Sequence, residues 1–233
     1  MSALPPIIAT DRECLEAWRR RPGAERLRAL VERYAAFVHS SACRRTGRTD
    51  HARQVTQAVF LVLARRARRL PKKTVLAGWL FHITAVTCRK LVGRSMGAGW
   101  WRRFGRRPKN SVPPDAGLWT RVAPELEPAI EQLSSAQRDA VLSRVLLNHD
   151  SVSVAGNLRT SERRVNMRVK RGLKKLTRRL RRRGVATDTE TLAQTCAAEG
   201  CAAPLPEGLV AEILTSIDES LGRRPTFKLA RRT

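Results

Sequence analysis

Between His51 and Pro114 the chain carries fifteen Lys or Arg residues and not one acid. No helix in that stretch can neutralise its cations with its own acids three or four residues away. Each must turn an apolar stripe inward and present its cations outward, where they are available to a polyanion. A second run repeats the pattern: Arg159 to Arg183 holds thirteen cations against the single acid Glu162. The formal charge of the 233 residues is +26, well beyond what solubility asks of a small domain.

The apolar residues repeat with helical period. Leu27, Leu30, Val31, Tyr34 and Val38 recur within residues 11–46, which read as one or two helices. Thr49 or Asp50 can cap the next helix, which carries Val55, Val59, Val62, Leu63 and Leu70 and stops at Pro71. Residues 78–94, GWLFHITAVTCRKLVGR, place Leu80, Ile83, Thr84, Thr87 and Leu91 on one stripe. Trp79, His82, Val86, Arg89 and Lys90 fall outside it. No segment alternates with period two between hairpin turns, so no sheet is expected.

From Ser95 to Pro124 the texture changes to four Gly and four Pro, with Trp100, Trp101 and Phe104 set among arginines. This reads as a linker, and that aromatic-basic interleave as either an extension of a nucleic-acid surface or plain linker. The expected fold is all-α: two small helical domains, 11–96 and 125–183, joined by a Gly/Pro-rich basic linker, 97–124. An Ala-rich C-terminal extension, 184–233, carries weak helical patterns around 188–199 and 207–221.

Residues 150–180, DSVSVAGNLRTSERRVNMRVKRGLKKLTRRL, fit a helix-turn-helix. Asp150 or Ser151 caps a first short helix bearing Val154, Ala155 and Leu158. Arg159-Thr160 makes the turn, and Thr160 or Ser161 caps a second helix with Glu162 in its first turn. Val165, Val169, Leu173, Leu176 and Leu180 form its inner stripe; Arg163, Arg164, Asn166, Met167, Arg168 and Lys170 face away. In such a motif those outward residues enter the major groove, where Arg reads guanine and Asn reads adenine. The arginines near 178–183 lie too far along for base contact and suit phosphates. Spacing alone fits an ordinary amphipathic helix with a cationic solvent face equally well.

Several function classes find no support. The four histidines (His39, His51, His82, His149) lack metal-ligand spacing, no phosphate-binding glycine loop is present, and the acids are too few for a catalytic pair. No enzyme activity, cofactor or metal is expected. The five cysteines have no CxxC spacing and suggest a reducing compartment. No secretory leader is seen and no membrane insertion is expected. A cytoplasmic protein is the consistent reading.

Two stretches resemble the sigma-70 family of RNA polymerase sigma factors, in its two-domain extracytoplasmic-function group. LVERYAAFVHSSACRRTG with QVTQAVFLVLARRARRLPKKTVLAGWLFHITAVTCRKL is similar to region 2. IEQLSSAQRDAVLSRVLLNHDSVSVAGNLRTSERRVNMRVKRGLKKL is similar to region 4. The resemblance implies core RNA polymerase and promoter DNA as partners, with an anti-sigma factor as a further one such proteins can take. It gives polymerase contact to Asp50, Gln54, Gln57, Ala58 and Leu61. It gives the opened −10 strand to His82, Arg89, Lys90 and Arg94. The −35 duplex falls to Arg163, Arg164, Asn166, Met167, Arg168 and Lys170. The chain departs from the family in three ways. Arg53, Gln54 and Ala58 stand where acids are usual, the linker is strongly basic, and Arg159 replaces the small residue common in the turn. Two other readings stay open: a helix-turn-helix regulator that acts without polymerase, and a nonspecific basic nucleic-acid-binding protein.

Overall fold

A computed structural model describes residues 10–96 and 117–222, with side chains of 92–96 excluded. The aromatic-basic interleave at Trp100, Trp101 and Phe104 and the side chain of Arg94 lie outside the described residues. All regular structure among the described residues is helical, as the period of the apolar residues predicts. The first block comprises α1 (Asp11–Arg20), α2 (Glu25–Thr46), α3 (Thr49–Arg66), a short 3₁₀ turn and α4 (Leu76–Met96). The second comprises α5 (Leu118–Glu131), α6 (Ser135–Val141) running into a π-helical turn at Leu142–Leu146, α7 (Ser151–Asn157) and α8 (Glu162–Arg182). Helices α9 (Thr189–Glu199) and α10 (Leu209–Gly222) follow, close to where weak periodicity placed them.

Local chemistry accounts for several boundaries. Thr10 and Glu13 form a reciprocal capping box at the start of α1. Gly47, at φ 65°, ends α2 in the left-handed conformation that glycine adopts without steric cost. Helix α5 starts at Leu118, ahead of the start near Glu125 that the proline content suggests. Pro124 and Pro128 both lie inside it. Burial of Val122, Leu126, Ala129 and Ile130 outweighs the backbone bonds those prolines remove.

One continuous apolar core runs through both blocks and the C-terminal helices. At their junction lies a buried ion cluster. Glu127 of α5 accepts from Arg44 Nε at 2.8 Å and from Ser41 Oγ at 3.0 Å. Arg45 Nη2 sits 2.9 Å from the same carboxylate, and Arg45 Nη1 donates to Glu131 at 2.6 Å. The Glu127, Arg44 and Arg45 side chains are 4, 7 and 5% exposed. The Nη2 atoms of both arginines lie at ion-pair distance from Glu127 but off the hydrogen-bond direction. The guanidinium planes add aromatic contact: Arg44 lies 5.7 Å from the Trp119 ring centre and Arg45 4.8 Å from that of Phe81. Arg44 Nη1 also donates to the Gly200 carbonyl just after α9. The cluster thus ties α2 to α5, α4 and the C-terminal segment.

Two glycines allow close helix approach. A Cβ on Gly78 of α4 would collide with the Asp139 carboxylate of α6. On Gly172 of α8 it would stand 2.6 Å from Val141 Cγ2. Burial pushes the Asp139 carboxyl up to about 6, against the opposing pull of Arg138 and Arg168.

Arg159 carries the backbone strain of the helix-turn-helix. Its φ is +48°, in the left-handed region that a side chain disfavours. The Arg159→Gly variant should therefore gain about 0.5–1 kcal/mol in stability, read as a higher urea midpoint at unchanged slope. An unchanged or lower midpoint would show that the arginine compensates its strain through contacts of its own.

Candidate nucleic-acid interface

The helix-turn-helix forms as its residues predict. Asp150 caps α7: its Oδ1 accepts the Ser153 N–H at 2.8 Å and its Oδ2 the Ser153 hydroxyl at 2.6 Å. Those bonds, the hydroxyl's first, hold the Asp150 carboxyl below its ordinary range. Ser161 takes the cap position of α8 without the side-chain bond its identity suggests. Val154, Ala155 and Val165 make a small core of their own, with Leu158 and Val169 packed on it. That core fixes α7 against the first turns of α8. Leu173, Leu176 and Leu180 bury the rest of the stripe.

With the inner stripe fixed, the outward face of α8 is set. Arg163, Arg164, Asn166, Met167 and Lys170 are exposed, while Arg168 is half-buried and within electrostatic reach of Asp139. Val152, Met167 and Leu221 are the exposed large apolar side chains among the described residues. Two of these three lie on this motif, where apolar groups can meet thymine methyls. A contact that spacing did not reveal orients the Asn166 side chain: Ser151 Oγ donates to Asn166 Oδ1 at 3.1 Å. The Asn166 amide NH₂ remains to donate outward. The C-terminal arginines are not all open to phosphates. Arg183 is held by Glu125 at 2.9 and 3.2 Å, and Arg181 Nε donates to the Thr187 carbonyl.

On α4 the stripe outside the apolar seam divides. His82, Arg89 and Lys90 are exposed. Trp79 is half-buried and packs on the core, and Val86 is also half-buried. The buried face is wider than the five-residue stripe and includes Phe81, Ala85 and Cys88. The added width follows from α4's position, packed against α2, α3 and α6 together.

The residues assigned to polymerase contact divide likewise. Asp50 and Gln54 are exposed on α3; Gln57, Ala58 and Leu61 are half-buried, Leu61 against the core. Gln57 Nε2 donates to Glu212 of α10 at 2.8 Å, and Arg53 pairs with the same carboxylate. Nothing in the local sequence announces Glu212, because its partners lie more than 150 positions away in the chain.

No helix among the described residues is long and apolar enough to cross a membrane. Among curated proteins none matches the chain. A family model described as Sigma-70, region 4, matches residues 125–176. That segment begins within α5, takes in α6 and α7, and ends within α8, so it contains the whole helix-turn-helix turn and the outward face of α8. Over those residues the chain is similar to region 4 of the sigma-70 family.

Proposed function

We propose that this protein is a sigma factor of the extracytoplasmic-function group, which binds core RNA polymerase and directs promoter-specific initiation in the cytoplasm. The observation that carries the reading is the exposed face of α8 within the segment matching region 4. Two domains divide the work, 11–96 acting as region 2 and 125–183 as region 4, joined by the linker 97–124. The chain itself performs no chemistry; polymerase makes the RNA.

In this reading the first turns of α8 enter the major groove of the −35 element. Arg163, Arg164 and Arg168 supply guanine or phosphate contacts, Lys170 a phosphate contact, and Asn166 a directed donor. Met167 offers an apolar surface to the base edges. Helix α4 serves the opened −10 strand. Its exposed residues suit separated bases and their backbone: the His82 ring offers a stacking plane, and Arg89 and Lys90 hold phosphates, with Arg94 next along the helix. Duplex steps cost about 1.4 kcal/mol each to unstack, and stacking on a planar side chain returns about 1–3 kcal/mol per base. Asp50, Gln54, Gln57, Ala58 and Leu61 of α3 meet the polymerase. An anti-sigma factor is a further partner for a chain of this kind.

In transcription from a promoter library with purified core polymerase, Arg163→Ala and Arg168→Ala should change which upstream bases are preferred, by about 1–3 kcal/mol at the affected positions. Uniform loss on every sequence, with a salt slope lower by about one, would make them phosphate contacts only.

The Arg89→Ala/Lys90→Ala double variant should form closed complexes normally and open them poorly. Permanganate reactivity of −10 thymines should drop while duplex footprints persist. Undiminished reactivity would remove α4 from strand capture.

A further inference from the structure

The C-terminal segment differs in charge from the chain it follows. Residues 184–222 hold seven acids and no Lys or Arg. Its last helix, α10, packs chiefly on α3 and α2, in the block farthest from it in sequence. Leu209, Ile213 and Ile217, spaced four apart, are fully buried there. Two carboxylates anchor the helix. Glu212 takes Arg53 Nε at 3.1 Å and Gln57 Nε2 at 2.8 Å. Asp218 Oδ1 accepts the Ala24 N–H at 2.9 Å, at the start of α2, where the Ala24 methyl group cannot act as a cap.

We infer that α10 is an intramolecular competitor for the polymerase-facing surface of α3. The inference rests on the proposed reading of α3 as a polymerase contact. Gln57 belongs to that contact, Arg53 lies one turn before it, and both are occupied by Glu212. A side chain bound to Glu212 cannot also meet a second protein, and the body of α10 excludes one by volume. The chain therefore exists in two states, one with α10 seated and one with α3 uncovered. Polymerase binds the second, so its apparent dissociation constant is the intrinsic one divided by the uncovered fraction.

The anchoring suits a reversible contact. The Arg53 and Glu212 side chains are 43% and 37% exposed, so their pairing is water-screened and weak alone. The apolar seam of α10 supplies the rest of the hold. Charge adds selectivity, since an acid-bearing helix is drawn to the cationic block that carries Arg53.

The test uses the full-length chain and bacterial core RNA polymerase. Glu212→Lys sets like charge against Arg53, and Asp218→Lys removes the cap on α2; neither residue belongs to the proposed DNA or polymerase contacts. Circular dichroism verifies the fold of each, and Ile217→Ser provides a third, apolar route to the same release. Each variant that folds should bind core polymerase about tenfold more tightly than the parent, as a matching rise in the uncovered fraction requires. Binding to −35 duplex alone should be unchanged. Hydrogen exchange should show residues 209–222 losing protection when the parent chain joins polymerase. Equal affinities for parent and variants, with α10 still protected in the complex, would overturn the competition and leave the polymerase reading standing. Failure of parent and released variants alike to bind polymerase would overturn both.

Discussion

Glu127 is the interaction on which the architecture turns. A carboxylate buried in α5 would be strongly unfavourable alone, and each of its two arginine partners in α2 would be equally so. Together, and with Ser41, Glu131 and the rings of Trp119 and Phe81, they form a cluster in which each charge is paired, although the Nη2 atoms of both arginines make no hydrogen bond. The cluster lies where α2, α4 and α5 meet, so it fixes the register of the two helical blocks. Apolar contact would hold these surfaces together in many registers; a buried carboxylate accepts only the one in which both guanidinium groups reach it. In a chain with more than twice as many cations as acids, Arg44 and Arg45 direct their charge inward, while His82, Arg89 and Lys90 of α4 and Arg163, Arg164 and Lys170 of α8 face outward.

The same shortage of acids shapes the outward faces of α4 and α8. The carboxylates of the second block and tail largely have structural partners: Glu125 holds Arg183, Asp150 and Asp188 cap helices, and Glu212 holds Arg53. The outward cations of α4 and α8 are left with few acids nearby, so both faces carry a net positive field. Gly78 and Gly172 contribute by omission. Without a side chain they let α4 and α8 approach α6, which places both helices without using their outward faces for packing.

Much of this was legible in the sequence because it is periodic or local. The stripe Val165, Leu173, Leu176, Leu180 determined which side of α8 faces outward, and Asp150 or Ser151 marked the start of α7, where Asp150 makes the cap. The weak pattern at 188–199 and 207–221 located α9 and α10 to within two residues. What escaped was non-local. The Gly- and Pro-rich texture running to Pro124 argued for a later start to α5, and only tertiary burial overrides it. Phe81 lies off the main stripe of α4 and is buried because Arg45 and the core reach that side. Ser151 bonding Asn166, Glu127 joining two blocks and Glu212 reaching α3 depend on residues 15 to 159 positions apart, for which spacing carries no signal.

The buried cluster can be probed by a double-mutant cycle in urea unfolding, with Arg45→Ala, Glu127→Ala and the pair. Each single change should be costly, by about 3–5 kcal/mol, because it strands a charge inside the core. The pair should cost less than the sum by at least about 1 kcal/mol, since the second substitution removes the stranded partner. Single losses that add to within about 0.5 kcal/mol would contradict the claim that this ion cluster sets how the two helical blocks meet.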